Sequence, residues 1–200
     1  LKLAKMQGLF DGSMTLMIHA SGPKELIEGV NLAKDQGVQK IALVAGTQAL
    51  YVATFLKDNN IGVIIPPVHS LPARPDQDID LPYRLPHLLT EAGLTVGLSH
   101  TGMLANARNL PFYAGTAVAY GMDKEDALKT ITSNTAAILG ISDRVGTLTV
   151  GKDATLFISE GDALDIRSSV LNHAFISEKH ITLDNKQQAL YKRYSDKYGH

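Results

Sequence analysis

Four short apolar runs recur along the first hundred residues, and a helix-like segment follows each of the first three: MTLMIHA (14–20), IALVAG (41–46), IGVIIPP (61–67) and LTVGLS (94–99). Their apolar residues are continuous rather than alternating, the pattern of strands buried on both faces. Strand–helix alternation at this spacing predicts parallel pairing through right-handed crossovers, so the fold class is α/β. The connecting segments carry their own signals. Pro23 suits a first helical turn, and Glu25 suits the positive end of the helix dipole. Leu26, Ile27, Val30 and Ala33 make an apolar stripe closed by Gly37. A second helix is predicted around Ala49, Val52, Ala53 and Leu56, and a third from about Pro86 to Ala92. A loop rich in proline and aspartate, residues 69–83, precedes the third.

Two further helices follow the fourth run. One is predicted over Asn109 to Tyr120. The other is capped by Asp123, with Ala127, Leu128, Ile131, Ala136, Ile138 and Leu139 as its buried face. After Gly140 the texture changes. Residues 146–159 and 168–183 read as short strands between turns, and a polar helix from about Asn185 to Tyr198 ends the chain. Tyr191, Tyr194 and Tyr198, at helical spacing, are expected to pack that helix down. The expected division is an α/β body over 1–141 and a β appendage with a terminal helix over 142–200.

Composition narrows the function classes. A formal net charge of -1 leaves no basic excess to neutralise phosphates, which argues against a nucleic-acid partner. The chain has no cysteine, which excludes disulfides, thiol catalysis and Cys-ligated zinc and leaves cytoplasm and periplasm equally open. No apolar run approaches the ~18 residues of a membrane helix, so no membrane partner is expected. The chain opens on Leu1 rather than Met, and is expected to be a piece of a longer reading frame.

The stretch ALKTITSNTAAILGISDRVGTLTVGKDATLFISEGDAL (127–164) carries a family signature. It resembles the metal-dependent amidohydrolases, of the imidazolonepropionase-like type, whose helix with Thr-x-Asn-Pro-Ala and Leu-Gly precedes an Asp-Arg-x-Gly-Ser-Leu-x-x-Gly-Lys-x-Ala-Asp-Leu segment. Thr135 stands where the family has proline, and Thr155 where it has the second aspartate. The resemblance implies the second half of a TIM-type (β/α)8 barrel, strands five to eight, with a small carboxyl-terminal β-sandwich appendage. It also implies zinc or another divalent metal held at strand ends, beginning with a His-x-His pair on the first strand. No His-x-His occurs in these residues, so the metal set is incomplete here and metal is expected to be absent or weakly held.

The same resemblance assigns candidate residues. His19, at the end of the first run, matches the fifth-strand metal ligand, and a neutral imidazole suits zinc. Ala45 stands where the sixth-strand histidine belongs and cannot bind metal. Ser99-His100-Thr101-Gly102 matches a Thr-Asp-Ser-Gly pattern whose aspartate is a metal ligand and takes the proton from metal-bound water. His100 is therefore the candidate catalytic residue and second candidate ligand, although it brings no negative charge. His69 and Arg74 on the long loop, and Arg108 and Asn109 after the fourth strand, are candidate substrate contacts. Arg74 is suited to clamp a carboxylate bidentately; Asn109 is also placed to cap a helix. His87 and His173 read as structural residues, and His180 and His200 as exposed ones.

Two functions remain open on these grounds. The first is metal-dependent hydrolysis of a non-peptide carbon–nitrogen bond, cyclic ones included, completed by a missing amino-terminal half. The second is a degenerate barrel that binds a small molecule or a partner without turnover, which the alanine at 45 and the histidine at 100 favour. The first reading expects a small-molecule substrate, and the second a small molecule or a partner. Both also expect a homo-oligomer, or pairing with the missing half, because half a barrel exposes sheet edges.

Overall fold

The computed structural model describes residues 3–199, and the side chains of residues 4–199. The chain divides into two compact units, one running to Lys152 and the other beginning at Asp153. A 3-10 turn (Leu3–Gln7) and a short helix α1 (Gly8–Asp11) open the first unit. Strand β1 (Leu16–His19), helix α2 (Pro23–Asp35), strand β2 (Ile41–Val44), a 3-10 turn (Thr47–Val52), helix α3 (Ala53–Asp58) and strand β3 (Gly62–Ile65) follow. Next come α4 (Leu81–Glu91), β4 (Val96–Leu98), a 3-10 turn (Leu104–Asn109), α5 (Leu110–Ala119), α6 (Lys124–Ile131) and α7 (Ser133–Leu139).

The four strands form one open parallel sheet in the order β1-β2-β3-β4. Register pairs His19 with Val44, Val44 with Ile64, and Ile64 with Gly97, so these residues share one face. Side chains alternate across a strand, which sends Ile18, Leu43, Val63, Ile65 and Val96 to the other face. There α2 comes so close that a Cβ on Gly29 would lie 3.2 Å from Ile18. Leu43, Val63, Ile65 and Val96 are fully or almost fully buried, as continuous apolar strands require.

The first face is closed at the amino end of its strands by α7. A Cβ on Gly62 would lie 2.6 Å from Ile138 Cγ1, and one on Gly97 would lie 2.7 Å from Thr135 Oγ1. Ile138 packs with Ala42 and Ile64, and Met17 and Val44 lie against that cluster. Asn134 Nδ2 donates to the Val96 carbonyl (3.2 Å) and pins the helix to the edge strand.

Three local readings change. The helix expected to run through to Leu139 is two helices, broken at Thr132 (φ -128°, ψ -98°). Threonine hydroxyls take over the carbonyls there: Thr132 donates to Leu128 (2.7 Å), and Thr135 donates to Thr130 (2.6 Å). The break re-phases the buried face, which leaves Leu128 and Leu139 more than a third exposed. Helix α4 begins at Leu81, five residues ahead of the expected Pro86, with Pro82 in its first turn and Pro86 buried inside it. Residues 146–155 form no strand. Leu148 and Val150 are 87% and 103% exposed, and the turns at Gly146 and Gly151 adopt positive φ.

The contact boundary also falls downstream of the change in texture at 141/142. Gly146 packs on α7, where a Cβ would meet Ala136, so residues 142–152 stay with the first unit.

The second unit is one antiparallel sheet in the order β5-β6-β7, from β5 (Leu156–Ser159), β6 (Leu171–Ile176) and β7 (Lys179–Ile181). Helix α8 (Lys186–Tyr198) follows, capped by Asn185 Oδ1, which accepts from the Gln188 backbone N–H (2.9 Å). Its tyrosines do not pack it down. Tyr191, Tyr194 and Tyr198 are 48–73% exposed, and Tyr194 and Tyr198 stack on each other with ring centroids 6.2 Å apart.

Gly146 gives a direct test of the α7 seat. At φ +95° an added Cβ would lie 2.6 Å from Ala136 Cβ and 3.2 Å from Ser133 Cα. Gly146→Ala is expected to cost about 2–4 kcal/mol, combining left-handed strain with overpacking. Gly151→Ala has the same backbone strain (φ +93°) with nothing within 4 Å, and should cost about 1–2 kcal/mol. Urea unfolding midpoints of the two variants measure the difference, and equal losses would refute the packing account.

Candidate active site at the carboxyl end of the sheet

The carboxyl ends of parallel strands are where α/β sheets place binding chemistry. His19 is the last residue of β1, and Ala45 follows β2 with its N–H bonded to the Ile64 carbonyl (3.1 Å). His69 lies four residues beyond β3. Ser99 and His100 follow β4, with both the backbone N–H (3.0 Å) and the hydroxyl (2.9 Å) of Ser99 bonded to the Ile65 carbonyl. His19, Ala45, His69 and His100 therefore all stand at one end of the sheet.

The three histidines are in different chemical states. His100 uses both ring nitrogens: Nε2 sits 3.0 Å from the Met103 carbonyl and Nδ1 sits 3.0 Å from the Tyr113 hydroxyl. A carbonyl only accepts, so Nε2 carries a proton, and in the neutral ring the Nδ1 lone pair receives the Tyr113 hydroxyl. The His19 ring is exposed and makes no hydrogen bond among the described residues. His69 has its Nε2 2.7 Å from Thr116 Oγ1, and that hydroxyl donates its one proton to the Phe112 carbonyl (2.9 Å). His69 Nε2 is then the donor, which fixes the tautomer and leaves the Nδ1 lone pair without a partner among the described residues.

An aromatic wall supports these rings. Tyr113 is 5% exposed, meets His69 edge-to-face at 4.7 Å between centroids, and stacks on His100 at 6.0 Å. Tyr83 from α4 approaches His69 at 6.5 Å and Tyr120 at 5.2 Å. Partial burial of the otherwise exposed His69 ring lowers its pKa below the ordinary 6.5, because desolvation disfavours the charged form. Tyr113, Thr116 and Tyr83 were not among the sequence-derived candidates. The one available signal was the i, i+3 spacing of Tyr113 and Thr116, which puts both on one helix face.

The remaining candidates are spread along the loops. Arg74 is engaged by Asp76 through two hydrogen bonds, one of them Nε to Oδ1 at 2.9 Å. That pairing raises the arginine's pKa and lowers the carboxylate's. Arg108 is exposed on the 3-10 turn Leu104–Asn109, and Asn109 holds the N-cap position of α5 without a side-chain capping bond. His87 faces Glu91 on α4, with Nε2 3.7 Å from Oε2.

A model of the Amidohydrolase family matches residues 84–190. The chain belongs to the amidohydrolase family. Its fold is similar to an amidohydrolase from Thermotoga maritima MSB8 (TM-score 0.79, 25% identity), covering 90% of this chain and 46% of that one. It is also similar in fold to a prolidase complexed with N-methylphosphonate-L-proline (TM-score 0.64, 15% identity), covering 90% of this chain and 48% of that one. A third likeness is to an adenosine deaminase from Xanthomonas campestris with bound zinc (TM-score 0.51, 17% identity), covering 91% and 51%. The chain thus spans about half the length of these relatives. No curated protein matches the sequence.

The donor set at this rim does not fit a metal ion on its own. Ala45 offers no ligand atom and the His100 lone pair is taken by Tyr113, which leaves two imidazoles, His19 and His69, with a lone pair to offer. A metal centre normally takes at least three protein ligands. Among the described residues, no group of three or more His, Asp or Glu side chains is placed to hold one.

His69 makes stability depend on pH with a definite sign. A lowered pKa means the fold favours the neutral ring, so the stabilisation is complete above 6.5 and fades as pH falls through the lowered value. Between about pH 7 and pH 5 the wild-type urea midpoint should fall further than that of His69→Gln. Parallel pH slopes in the two proteins would contradict the assignment.

Proposed function

We propose that this chain supplies strands five to eight of an amidohydrolase barrel that hydrolyses a non-peptide carbon–nitrogen bond, cyclic or open-chain, in a small molecule. The observation that carries this reading is His69, a histidine at the carboxyl end of the sheet with a fixed tautomer and an open lone pair. Its Nδ1 is suited to accept a proton from water as the hydroxyl adds to a carbonyl carbon. The same nitrogen then returns that proton to the departing nitrogen, so one residue serves as base and acid. Tyr113 and Thr116 act as positioning residues that hold the ring. Arg108 and Asn109 are the proposed substrate contacts. Arg74, already paired with Asp76, is poorly placed to clamp a peptide carboxylate, which supports a non-peptide substrate.

The imidazolonepropionase-like subtype, barrel closure and the composite β-sandwich belong to the same proposal. So does association, either with a second copy or with an amino-terminal half, because β1 and β4 are open sheet edges. A specific observation favours a second reading, a barrel that binds without turnover: Ala45 and the engaged His100 remove two of the ligands expected in this half.

The two readings separate by assaying the full-length protein on cyclic amides, ureas and N-acyl amines. His69→Gln is expected to lower kcat/KM by about 10²–10⁴. Turnover that survives His69→Gln unchanged would remove His69 from the chemistry. Saturable binding of panel compounds without turnover would establish the binder.

A further inference from the structure

Beside the α7 seat, at the amino end of the parallel sheet, the first unit holds a cavity of about 300 Å³. It lies at the opposite end of the strands from His69. Thr15, Lys40, Ile61 and Thr95, each the residue just before a strand, line it together with Ala137 and Ile138 of α7. Its size falls at the lower end of the roughly 300–1,000 Å³ of small-molecule sites. The lining is one-sided in charge. Lys34 and Lys40 contribute to it beside the amides Asn59 and Asn60, and no aspartate or glutamate among the described residues does so.

One of the two cations is held in place. Lys34 Nζ donates to Asn59 Oδ1, and Asn59 Nδ2 donates to the Phe55 carbonyl (2.8 Å). The amide is thus oriented by α3 and tethers a side chain of α2. An ammonium has three protons, so two remain for a ligand. Lys34 also stands in the last turn of α2, where it offsets the carbonyl end of that helix. Lys40 has no such employment: it lies in the turn ahead of β2, and its side chain has no hydrogen bond or ion pair with a described residue.

The rest of the lining is apolar, from Ile41, Ile61 and Ile138, all largely buried. We propose that this cavity binds a small organic phosphate, with the dianion at Lys34 and Lys40 and the carbon body against these isoleucines. Two ammonium groups act as point charges and match a phosphate dianion. A planar carboxylate is gripped best by a guanidinium fork, and no arginine lines the cavity among the described residues. The ligand touches both α7 and the segments that lead into the strands. Its binding therefore stabilises the α7 seat, by an amount that grows with its concentration.

Calorimetric titration of the intact protein with phenyl phosphate, inorganic phosphate and benzoate tests the site. Phenyl phosphate is expected to bind once per chain, about tenfold tighter than inorganic phosphate, which has no carbon body to bury. Benzoate, with half the charge, should bind more weakly still. Lys34→Gln and Lys40→Gln should each weaken phenyl phosphate by about tenfold, the loss of one charge-assisted hydrogen bond. Lys40→Arg should retain binding. So should Lys24→Gln, in the first turn of α2, and His69→Gln, which reports on any anion at the rim. Phenyl phosphate should also raise the thermal midpoint of the wild type and leave that of Lys34→Gln/Lys40→Gln unmoved. Binding that persists in this double variant, benzoate binding as tightly as phenyl phosphate, or no saturable binding at all would overturn the proposal.

Discussion

The seat of α7 on the sheet is the contact on which the arrangement of the first unit depends. Gly62 and Gly97 present bare backbone where Ile138 and Thr135 arrive, and a methyl group at either position would meet those side chains at under 3 Å. The helix therefore lies close enough for Ile138 to complete a cluster with Ala42 and Ile64. That closes the amino end of one sheet face and leaves the carboxyl end free for polar residues. The short strands contribute to the site by holding register; the helix contributes by filling the opposite end, so that apolar burial and chemistry do not compete for the same positions.

This division explains what was readable in the sequence. The four strands were legible because each is a continuous apolar run, and β1 to β4 fall inside the expected segments. The start of α4 was obscured by Pro86, a residue normally read as a boundary but here buried within a helix already begun. The break at Thr132 was hidden for a subtler reason. Residues 123–139 carry an acceptable helical stripe, and the interruption comes from hydroxyl groups capturing carbonyls, an effect that periodicity cannot register. The expectation of strand over 146–155 was not met: Leu148 and Val150 stand exposed between the positive-φ turns at Gly146 and Gly151.

The site was legible to the same degree. Polar residues interrupting apolar runs mark strand ends, so His19, His69 and His100 could be picked out. What each imidazole does depends on residues distant in sequence: Tyr113 is 13 positions from His100, and Thr116 is 47 from His69. Both lie on α5, and only the crossover brings that helix to the rim. Sequence spacing supplies candidates; the third dimension supplies their protonation.

That protonation is the step from architecture to chemistry. A histidine is useful as a base only if one nitrogen is held and the other is free. His100, at the position first suspected, is held at both, and its exchange with Tyr113 and Met103 serves to fix the turn that follows β4. His19 is held at neither among the described residues, so nothing there fixes its ring toward a reacting atom. His69 alone among the three meets both conditions, because the Thr116 hydroxyl has already spent its proton on the Phe112 carbonyl and can only accept. The lowered pKa has the same origin: the packing that orients the ring also takes water from part of it, which disfavours the charged form. Orientation and basicity thus have a single structural cause, the face of α5 that carries Tyr113 and Thr116.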